Sequence, residues 1–269
     1  MFRGRVAMSI RSLMFFNRDL CVQNITPSAA PTVSISVAVM THNETREFKW
    51  LMAALEPARA VIDEIVVVDD FSHSDFVETV KSFQKTWPIR FFQRRLNKNF
   101  AAQRNFAMAQ CRGRLILFPD ADEIPSQRIL MGLPDILAWM ESNEIDACYL
   151  PRLNVMVPGS DLGEPLRTLD DNTLYSNWED QVRIMRNLPK LKFVRRVDEL
   201  LAGINRAYKF PHTKDFVLLH AKTVTRITQQ QNFYRSIYFS ATLSKHWNSI
   251  AKRTFRIDRQ KFVVAEPPI

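Results

Sequence analysis

Apolar and polar positions alternate in blocks along residues 33–125. Short, continuously apolar runs predict buried strands, and apolar residues three and four apart predict helices. The predicted strands are 33–40, 65–68, 89–92 and 115–118, with helices between them around 48–55, 76–83 and 100–111. Strands that alternate with helices and are apolar throughout indicate an α/β fold, with a mostly parallel central sheet and helices on both faces.

The pattern loosens after residue 125. Residues 126–140 predict a helix that Pro134 interrupts or bends. Further predicted elements are strands at 147–157 and 182–185, a polar loop at 158–172 and a helix at 227–245. We interpret the chain as three parts, namely a basic N-terminal appendage and linker at 1–32, one α/β domain at 33–225, and a helical, basic C-terminal extension at 226–269. In the domain, the first half is expected to bind a nucleotide-like ligand and the second to bind the acceptor.

The net charge of +9 indicates an anionic partner, such as a phosphorylated substrate or a membrane surface. Nucleic acid is not expected, because no zinc-finger, RNA-recognition or basic-zipper pattern accompanies the charge. No apolar run approaches the roughly 18 residues of a membrane span, and no signal-peptide pattern is present. Three widely spaced cysteines fit reduced thiols. We therefore expect a cytoplasmic protein, with peripheral contact at the inner face of a membrane as a further expectation.

The strand at 115–118 is followed by two carboxylates, Asp120 and Asp122. Residues two apart in an extended backbone point to the same side, and the carboxyl edge of an α/β sheet is where ligands bind. Two adjacent carboxylates repel each other, and a divalent cation bound to diphosphate oxygens removes that cost. The pattern predicts a site for a divalent metal, Mn²⁺ or Mg²⁺, and a diphosphate. An acidic surface turn is the alternative.

Polar side chains also follow the earlier strands. They are Thr41 to Glu44 after the first strand and Asp69 to Ser72 after the second, while the third helix carries Gln103 to Asn105 near its start. Such a set supplies the hydrogen-bonding groups, carboxylates and cation that a nucleotide requires. The chain has only 6 glycines and no glycine-rich phosphate loop, so a Rossmann dinucleotide site or a P-loop is not expected. Turn and helix-capping roles are the alternative for these residues.

Taken in order, the segments 33–44, 66–72, 99–105 and 118–123 resemble the successive motifs of family 2 glycosyltransferases. The segments 180–187, 197–200 and 219–220 are similar to the branch that includes lipopolysaccharide-core glucosyltransferases. The resemblance implies a GT-A fold and transfer of a sugar, with inversion, from a nucleotide-diphosphate sugar. The donor is expected to be UDP-linked, and the acceptor a glycan, glycolipid or lipopolysaccharide. A non-catalytic carbohydrate or membrane-surface binding protein on a degenerate fold is the alternative.

The resemblance also implies roles for residues on the donor side. Thr41, Glu44 and Asp70 would contact the nucleoside, and Arg104 would lie near the base or the phosphates. Asp120 would reach the ribose and the metal. The metal would also be bound by Asp122 and His220.

The base that removes the acceptor proton is expected to be Glu199, because the related branch has a His-Glu pair where this chain reads Asp198-Glu199. Asp180 is the second candidate and Asp198 the third. One position departs from the family, since Phe71 stands where members usually have glycine. A bulky residue does not easily adopt positive φ, so we expect either a different turn or a phenyl ring packed over the base.

Overall fold

A computed structural model describes residues 34–156 and 174–222. The predicted appendage at 1–32, the loop at 158–172, the C-terminal extension at 226–269 with its helix, and Cys21 lie outside the described residues. No helix within those two ranges is long and apolar enough to span a membrane.

The described residues form helices and strands in the predicted alternation. The strands are β1 (Ile35–Thr41), β2 (Glu64–Asp69), β3 (Ile89–Gln93), β4 (Leu115–Leu117), β5 (Glu123–Pro125), β6 (Ala147–Met156), β7 (Leu174–Arg186), β8 (Lys192–Val194), β9 (Leu200–Ala202), β10 (Ala207–Lys209) and β11 (Leu218–Lys222). The helices are α1 (Thr45–Leu55), α2 (Ser74–Gln84), α3 (Phe100–Gln110), α4 (Gln127–Met131) and α5 (Leu133–Ser142), with 3₁₀ helices at Glu56–Val61 and Lys214–Phe216.

The main sheet has the strand order β3-β2-β1-β4-β7-β6-β11-β5, and β10 pairs with β6. Strands β1 to β4 are parallel to one another, and β11 and β10 are parallel to β6. Strand β7 runs antiparallel to both of its neighbours, and β5 runs antiparallel to β11. The predicted α/β class with a mostly parallel sheet is confirmed. Because β1, β2 and β3 are in parallel register, their carboxyl ends meet at one edge.

Both faces of the sheet are covered. Alternate residues of a strand point to opposite faces. Val37 and Val39 pack with the buried side chains of α1 and α2, whereas Ala38 packs on the opposite face with residues of α3. The apolar positions that predicted α1 are all buried, and the ring of Phe48 meets that of Phe76 edge-on at 5.4 Å. The sheet edge that carries the polar loops is therefore held by a core on each side.

Two elements beyond residue 125 differ in their bounds from the predictions. The predicted helix at 126–140 divides into α4 and α5 at Gly132, and Pro134 lies in the first turn of α5, where proline is tolerated. Strand β7 is much longer than the predicted 182–185, because it begins at Leu174 and includes the polar run 179–181. Residues 178–182 pair with β6 although their sequence is typical of a loop.

Candidate active site

The carboxyl ends of β1 and β2 meet at the first part of the site. The amide of Asp70 donates to the carbonyl of Thr41 at 2.9 Å, so these two predicted nucleoside contacts lie together. The Thr41 side chain is buried, and its Oγ1 has no hydrogen-bond partner among the described residues. Asp70 Oδ1 accepts from the amide of Leu96 at 2.9 Å, which fixes this carboxylate against the loop that follows β3.

Glu44 stands at the N-terminal boundary of α1. Its side chain accepts a long hydrogen bond of 3.4 Å from the amide of His42, and its carbonyl accepts from the amide of Phe48 at 2.8 Å. The ring of His42 hydrogen-bonds through Nδ1 to the carbonyl of Asp70 at 2.9 Å. The loop that carries Glu44 is thus attached to the end of β2, beside Thr41 and Asp70.

The turn after β2 contains the residue that departs from the family. Asp69 accepts hydrogen bonds from the amide of Ser72 at 3.0 Å, from the Ser72 hydroxyl, and from Gln93 Nε2 at 3.1 Å. Within this turn Phe71 has a φ of +52°. The first of the two expected alternatives, a turn in which Phe71 avoids positive φ, is therefore wrong, because the surrounding hydrogen bonds hold the left-handed conformation. The second alternative, a phenyl ring packed over the base, stays a prediction.

The segment after β4 turns instead of continuing as an extended strand. Asp120 forms a single bridge with Met40, and Ala121 and Asp122 lie in a turn that leads into β5. The turn is closed by two hydrogen bonds, from the amide of Asp120 to Glu123 Oε2 and from the amide of Glu123 to the carbonyl of Asp120, both 3.0 Å. Asp120 and Asp122 consequently have different partners, and the extended geometry assumed from their spacing is not present.

Arginines hold Asp120 and its neighbour Glu123. Arg104 Nη2 donates to Asp120 Oδ1 and Arg183 Nη2 to Asp120 Oδ2, each at 2.7 Å. Arg183 also donates to both oxygens of Glu123, at 2.6 and 2.8 Å, and Arg152 Nη1 donates to Glu123 Oε1 at 3.2 Å. Burial alone would raise the pKa values of both carboxyls. The guanidinium groups outweigh it and hold the pKa of Asp120 below, and that of Glu123 far below, the usual range.

Asp122 is paired with His220 instead. Its Oδ2 lies 3.1 Å from His220 Nε2, and the residues are 8% and 3% exposed. The antiparallel pairing of β11 with β5 brings His220 here, since His220 is in register with Glu123. Within residues 34–156 and 174–222, no group of three His, Cys, Asp or Glu side chains is arranged to hold a metal. The three predicted metal ligands therefore fall into two places, and their metal role stays a prediction.

Arg104 links Asp120 to the preferred base. Its Nε donates to Glu199 Oε1 at 2.5 Å, and its guanidinium lies over the rings of Phe118 and Phe193 at 4.9 and 5.4 Å. Its Nη1 is buried and has no hydrogen-bond partner in the described ranges. Burial works to lower the pKa of Arg104, but Asp120 and Glu199 raise it overall, so the guanidinium stays charged.

The hairpin formed by β8 and β9 carries Glu199 and is docked on α3. Asn105 makes both bonds to the backbone of Phe193, donating to its carbonyl at 2.8 Å and accepting from its amide at 2.7 Å. The amide of Phe100 donates to the carbonyl of Arg196 at 2.8 Å. These contacts place Glu199 against the start of α3, next to Arg104.

The other two candidate bases lie differently. Asp180 on β7 is paired with Lys209 Nζ at 2.5 Å and with His212 Nε2 at 2.8 Å, and the His212 ring is stacked on Trp178. Asp198 is exposed in the turn of the β8–β9 hairpin, with a φ of +48°. Glu199 contacts Arg104, which is itself bound to Asp120.

Arg152 and Arg183 anchor the acidic turn, and no role was predicted for either of them from the sequence. A signal for them exists, because each interrupts an otherwise apolar part of a strand, as Arg183 does between Val182 and Ile184. A charged residue in a buried strand is tolerated only when it is paired, which would have indicated an acidic partner across the sheet.

Comparison with known proteins identifies the family. The profile described as "Glycosyl transferase family 2" matches residues 36–193, which is more than half of the chain. A search of curated proteins finds no match. Among solved structures, S. aureus TarS 1-349 in complex with UDP aligns with a TM-score of 0.50 and 17% identity, over 85% of this chain and 73% of that one.

Two further structures are more distant. A structure of S. aureus TarS aligns with a TM-score of 0.48 and 17% identity, over 85% of this chain, and the chain spans only 44% of it. The mannosyltransferase PcManGT from Pyrobaculum calidifontis, in complex with GDP-Man and Mn²⁺, aligns with a TM-score of 0.38 and 20% identity, over 43% of this chain and 34% of that one.

At such low sequence identities, a structural match shows the fold and not the function. The alignment with TarS 1-349 in complex with UDP agrees with the expected GT-A type, a curled and mostly parallel sheet flanked by helices. The family assignment rests on the sequence profile. The chain belongs to glycosyl transferase family 2.

Proposed function

We propose that the chain is an inverting glycosyltransferase that moves a sugar from a UDP-linked donor to a glycan, glycolipid or lipopolysaccharide acceptor. The observation that carries the proposal is the acidic turn of Asp120 and Asp122 beyond β4 in a family 2 member, at the same sheet edge as Thr41 and Asp70. The net charge of +9 supports an anionic acceptor or an anionic membrane surface on the cytoplasmic side.

Thr41 and Asp70 are proposed to bind the nucleoside. A buried hydroxyl without a partner is costly, so a ligand that bonds to Thr41 Oγ1 would gain from satisfying it. A carboxylate accepts several hydrogen bonds, and Asp70 can therefore accept from the imide N–H of uracil while it keeps its bond from Leu96. Glu44, on the adjoining loop, would complete the nucleoside contacts.

Asp122 and His220 are the residues that would hold a divalent metal. Their chemistry fits such an ion, because they form an adjacent, buried carboxylate and imidazole, while both oxygens of Asp120 are bound by arginines. Two protein ligands suffice where diphosphate oxygens and water complete the coordination, as is usual for Mg²⁺ at phosphate sites. When bound, Mn²⁺ or Mg²⁺ would neutralise charge that develops on the departing diphosphate. Arg104, with an unpaired buried Nη1, is proposed to add a second positive group there.

Glu199 is proposed to accept the proton of the acceptor hydroxyl as the new bond forms at the anomeric carbon. An inverting transfer requires such a carboxylate opposite the leaving group. In this structure Glu199 is bound to Arg104, which is itself bound to Asp120. A diphosphate that attracts Arg104 would weaken its hold on Glu199, so donor binding would leave the Glu199 carboxylate available to the acceptor hydroxyl.

Thermal stabilisation by nucleotides tests the donor site. UDP, GDP, CDP and dTDP would each be added with and without Mn²⁺, at about 100 times the dissociation constant, where a ligand adds about 2.7 kcal/mol. That gain raises the midpoint by a few degrees. We expect the largest shift with UDP plus Mn²⁺ and its loss in Asp122→Asn. Asp135→Asn, an exposed acid in the first turn of α5, is the matched control and should keep the shift.

The outcomes separate the two functions that the sequence left open. A shift that needs both the nucleotide and Mn²⁺ and disappears in Asp122→Asn supports the enzyme. The absence of any shift with all four nucleotides would instead favour a carbohydrate or membrane-surface binding protein on a degenerate glycosyltransferase fold.

A further inference from the structure

Phe71 combines an unusual backbone with an exposed ring. Its φ of +52° lies in the left-handed region, which residues with a Cβ disfavour and bulky ones rarely adopt. The residue is also 48% exposed to solvent. A large apolar side chain held outward by an unfavourable backbone needs a physical reason.

The neighbouring hydrogen bonds supply the backbone part of that reason. Besides the bonds to Asp69, the Ser72 hydroxyl accepts from the amide of Asn43 at 2.7 Å, and Asn43 Oδ1 accepts from the amide of His73 at 2.8 Å. The turn after β2 is thus fastened to the loop after β1. A strained conformation persists where the surroundings over-determine it, and such residues cluster at ligand sites.

Arg95 stacks on the exposed ring. Its guanidinium carbon lies 4.7 Å from the ring centroid of Phe71. The next residue, Leu96, donates its amide to Asp70 at 2.9 Å, which holds this part of the loop beside the end of β2. Phe71 and Arg95, which we call the Phe71–Arg95 pair, therefore flank a residue proposed to bind the nucleoside.

The position of the pair along the sheet indicates which part of the donor it meets. Strand β2 is two places from β4 in the sheet, so the end of β2 is about 10 Å from the end of β4, where Asp120 lies. Strand β7, which carries Asp180, adjoins β4 on the other side. The pair is therefore on the nucleoside side of the acidic turn, away from the acceptor side.

We propose that the Phe71–Arg95 pair is the stacking platform for the donor nucleobase. The inference rests on the proposed function, and it adds a residue pair that positions the base. Aromatic rings and guanidinium planes both stack on flat heterocycles, and stacking accepts any base while its strength varies with ring size. The ring of Phe71 would then be covered whenever a donor is bound.

Calorimetric titration with UDP, GDP and pyrophosphate, each with Mn²⁺, tests the platform. Phe71→Ala should weaken UDP and GDP binding about tenfold, since stacking of one base is of that order, and leave pyrophosphate binding unchanged. Phe71→Tyr should retain nucleotide binding. Phe71→Gly should weaken nucleotide binding like Phe71→Ala, yet raise the unfolding midpoint above that of Phe71→Ala, because glycine adopts positive φ freely. Met131→Ala, which shortens a 53% exposed side chain on α4, is the control and should change neither.

Each result decides the proposal. Nucleotide affinity that is unchanged in Phe71→Ala, with a wild-type chain that binds UDP or GDP, overturns the platform and leaves the donor site intact. Equal weakening of nucleotide and pyrophosphate also overturns it, because the effect would then not come from the base. A wild-type chain that binds neither nucleotides nor pyrophosphate overturns the proposed donor site, and the platform with it.

Discussion

The acids at the two parts of the site are held by different kinds of partner. At the ends of β1 and β2, Asp69 and Asp70 accept hydrogen bonds from backbone amides and neutral side chains, such as the amides of Ser72 and Leu96. Beyond β4, the acids Asp120, Glu123 and Glu199 are bound by guanidinium groups. We refer to these as the amide-held side and the arginine-held side.

The difference has an energetic meaning. A neutral hydrogen bond contributes about 1 kcal/mol, and its loss is correspondingly modest. A buried ion pair gains little net stability over an apolar contact, but removal of one partner leaves an uncompensated buried charge. The arginine pairs also join distant parts of the chain, since Arg104 and Glu199 are 95 residues apart and Arg183 and Glu123 are 60 apart. The arginine-held side therefore connects the first half of the domain, which carries Arg104 and Glu123, to the second half, which carries Arg183 and Glu199.

The largest expected effect is on the rate of transfer. Glu199→Gln should lower kcat by about 10²- to 10⁴-fold, because the variant loses the proposed base. Asp70→Asn, on the amide-held side, should mainly raise the KM of the donor sugar and leave kcat nearly unchanged. Steady-state kinetics with varied donor concentration measures both.

Asp180→Asn decides between the candidate bases in the same assay. If it loses the rate while Glu199→Gln keeps it, the base is on β7 and the arginine-held side only organises the donor. If neither variant loses rate, neither Glu199 nor Asp180 is the base, and the assignment of the catalytic step to the arginine-held side is wrong.

The next largest effect is on stability. Glu123→Gln removes the charge that Arg183 and Arg152 share and should lower the free energy of unfolding by about 3–5 kcal/mol. Ser72→Ala, on the amide-held side, should cost about 1 kcal/mol. Glu141→Gln, whose pair with Arg114 is largely exposed, is the control and should cost at most about 1 kcal/mol. Urea unfolding measures all three, and equal losses for Glu123→Gln and Ser72→Ala would contradict the comparison.

The smallest effect is the dependence of stability on pH. The pKa values of Asp120 and Glu123 are lower in the folded chain than the usual values of about 4. Their contribution to the free energy of unfolding is therefore fully present above pH of about 4 to 5. It is lost as the pH falls through the pKa values of the folded chain, by up to about 1.4 kcal/mol per pH unit for each group. Denaturant unfolding at pH 7, 5, 4 and 3 should show this acid slope, and Glu123→Gln should flatten it. An equal slope in the variant would show that other carboxyls cause the acid sensitivity.

The amide-held side was largely predictable from the sequence. Buried strands and the spacing of Phe48, Leu51 and Leu55 depend on local periodicity, and parallel strands bring Thr41 and Asp70 to one edge by topology alone. Periodicity reports which face of an element is buried, and here the buried faces match the prediction.

The arginine-held side was not predictable in the same way. Asp120 meets Arg183 only because β7 pairs with β4, a register that no local pattern encodes. Strand β7 was itself predicted too short, since its polar residues 179–181 lack the apolar character of a buried strand. The backbone at Phe71 was misjudged because residue preference was weighed without the surrounding hydrogen bonds.

The docking of the β8–β9 hairpin through Asn105 has a consequence for how such enzymes diversify. Within residues 34–156 and 174–222 the hairpin pairs with no strand of the main sheet, and one amide side chain on α3 makes two bonds to its backbone at Phe193. Because these hydrogen bonds are made to the backbone of the hairpin, they do not depend on which side chains the hairpin carries. The side chains of residues 195–198 at its tip can therefore change while the docking still holds Glu199 beside Arg104, so the proposed acceptor preference could be altered there without loss of the proposed base.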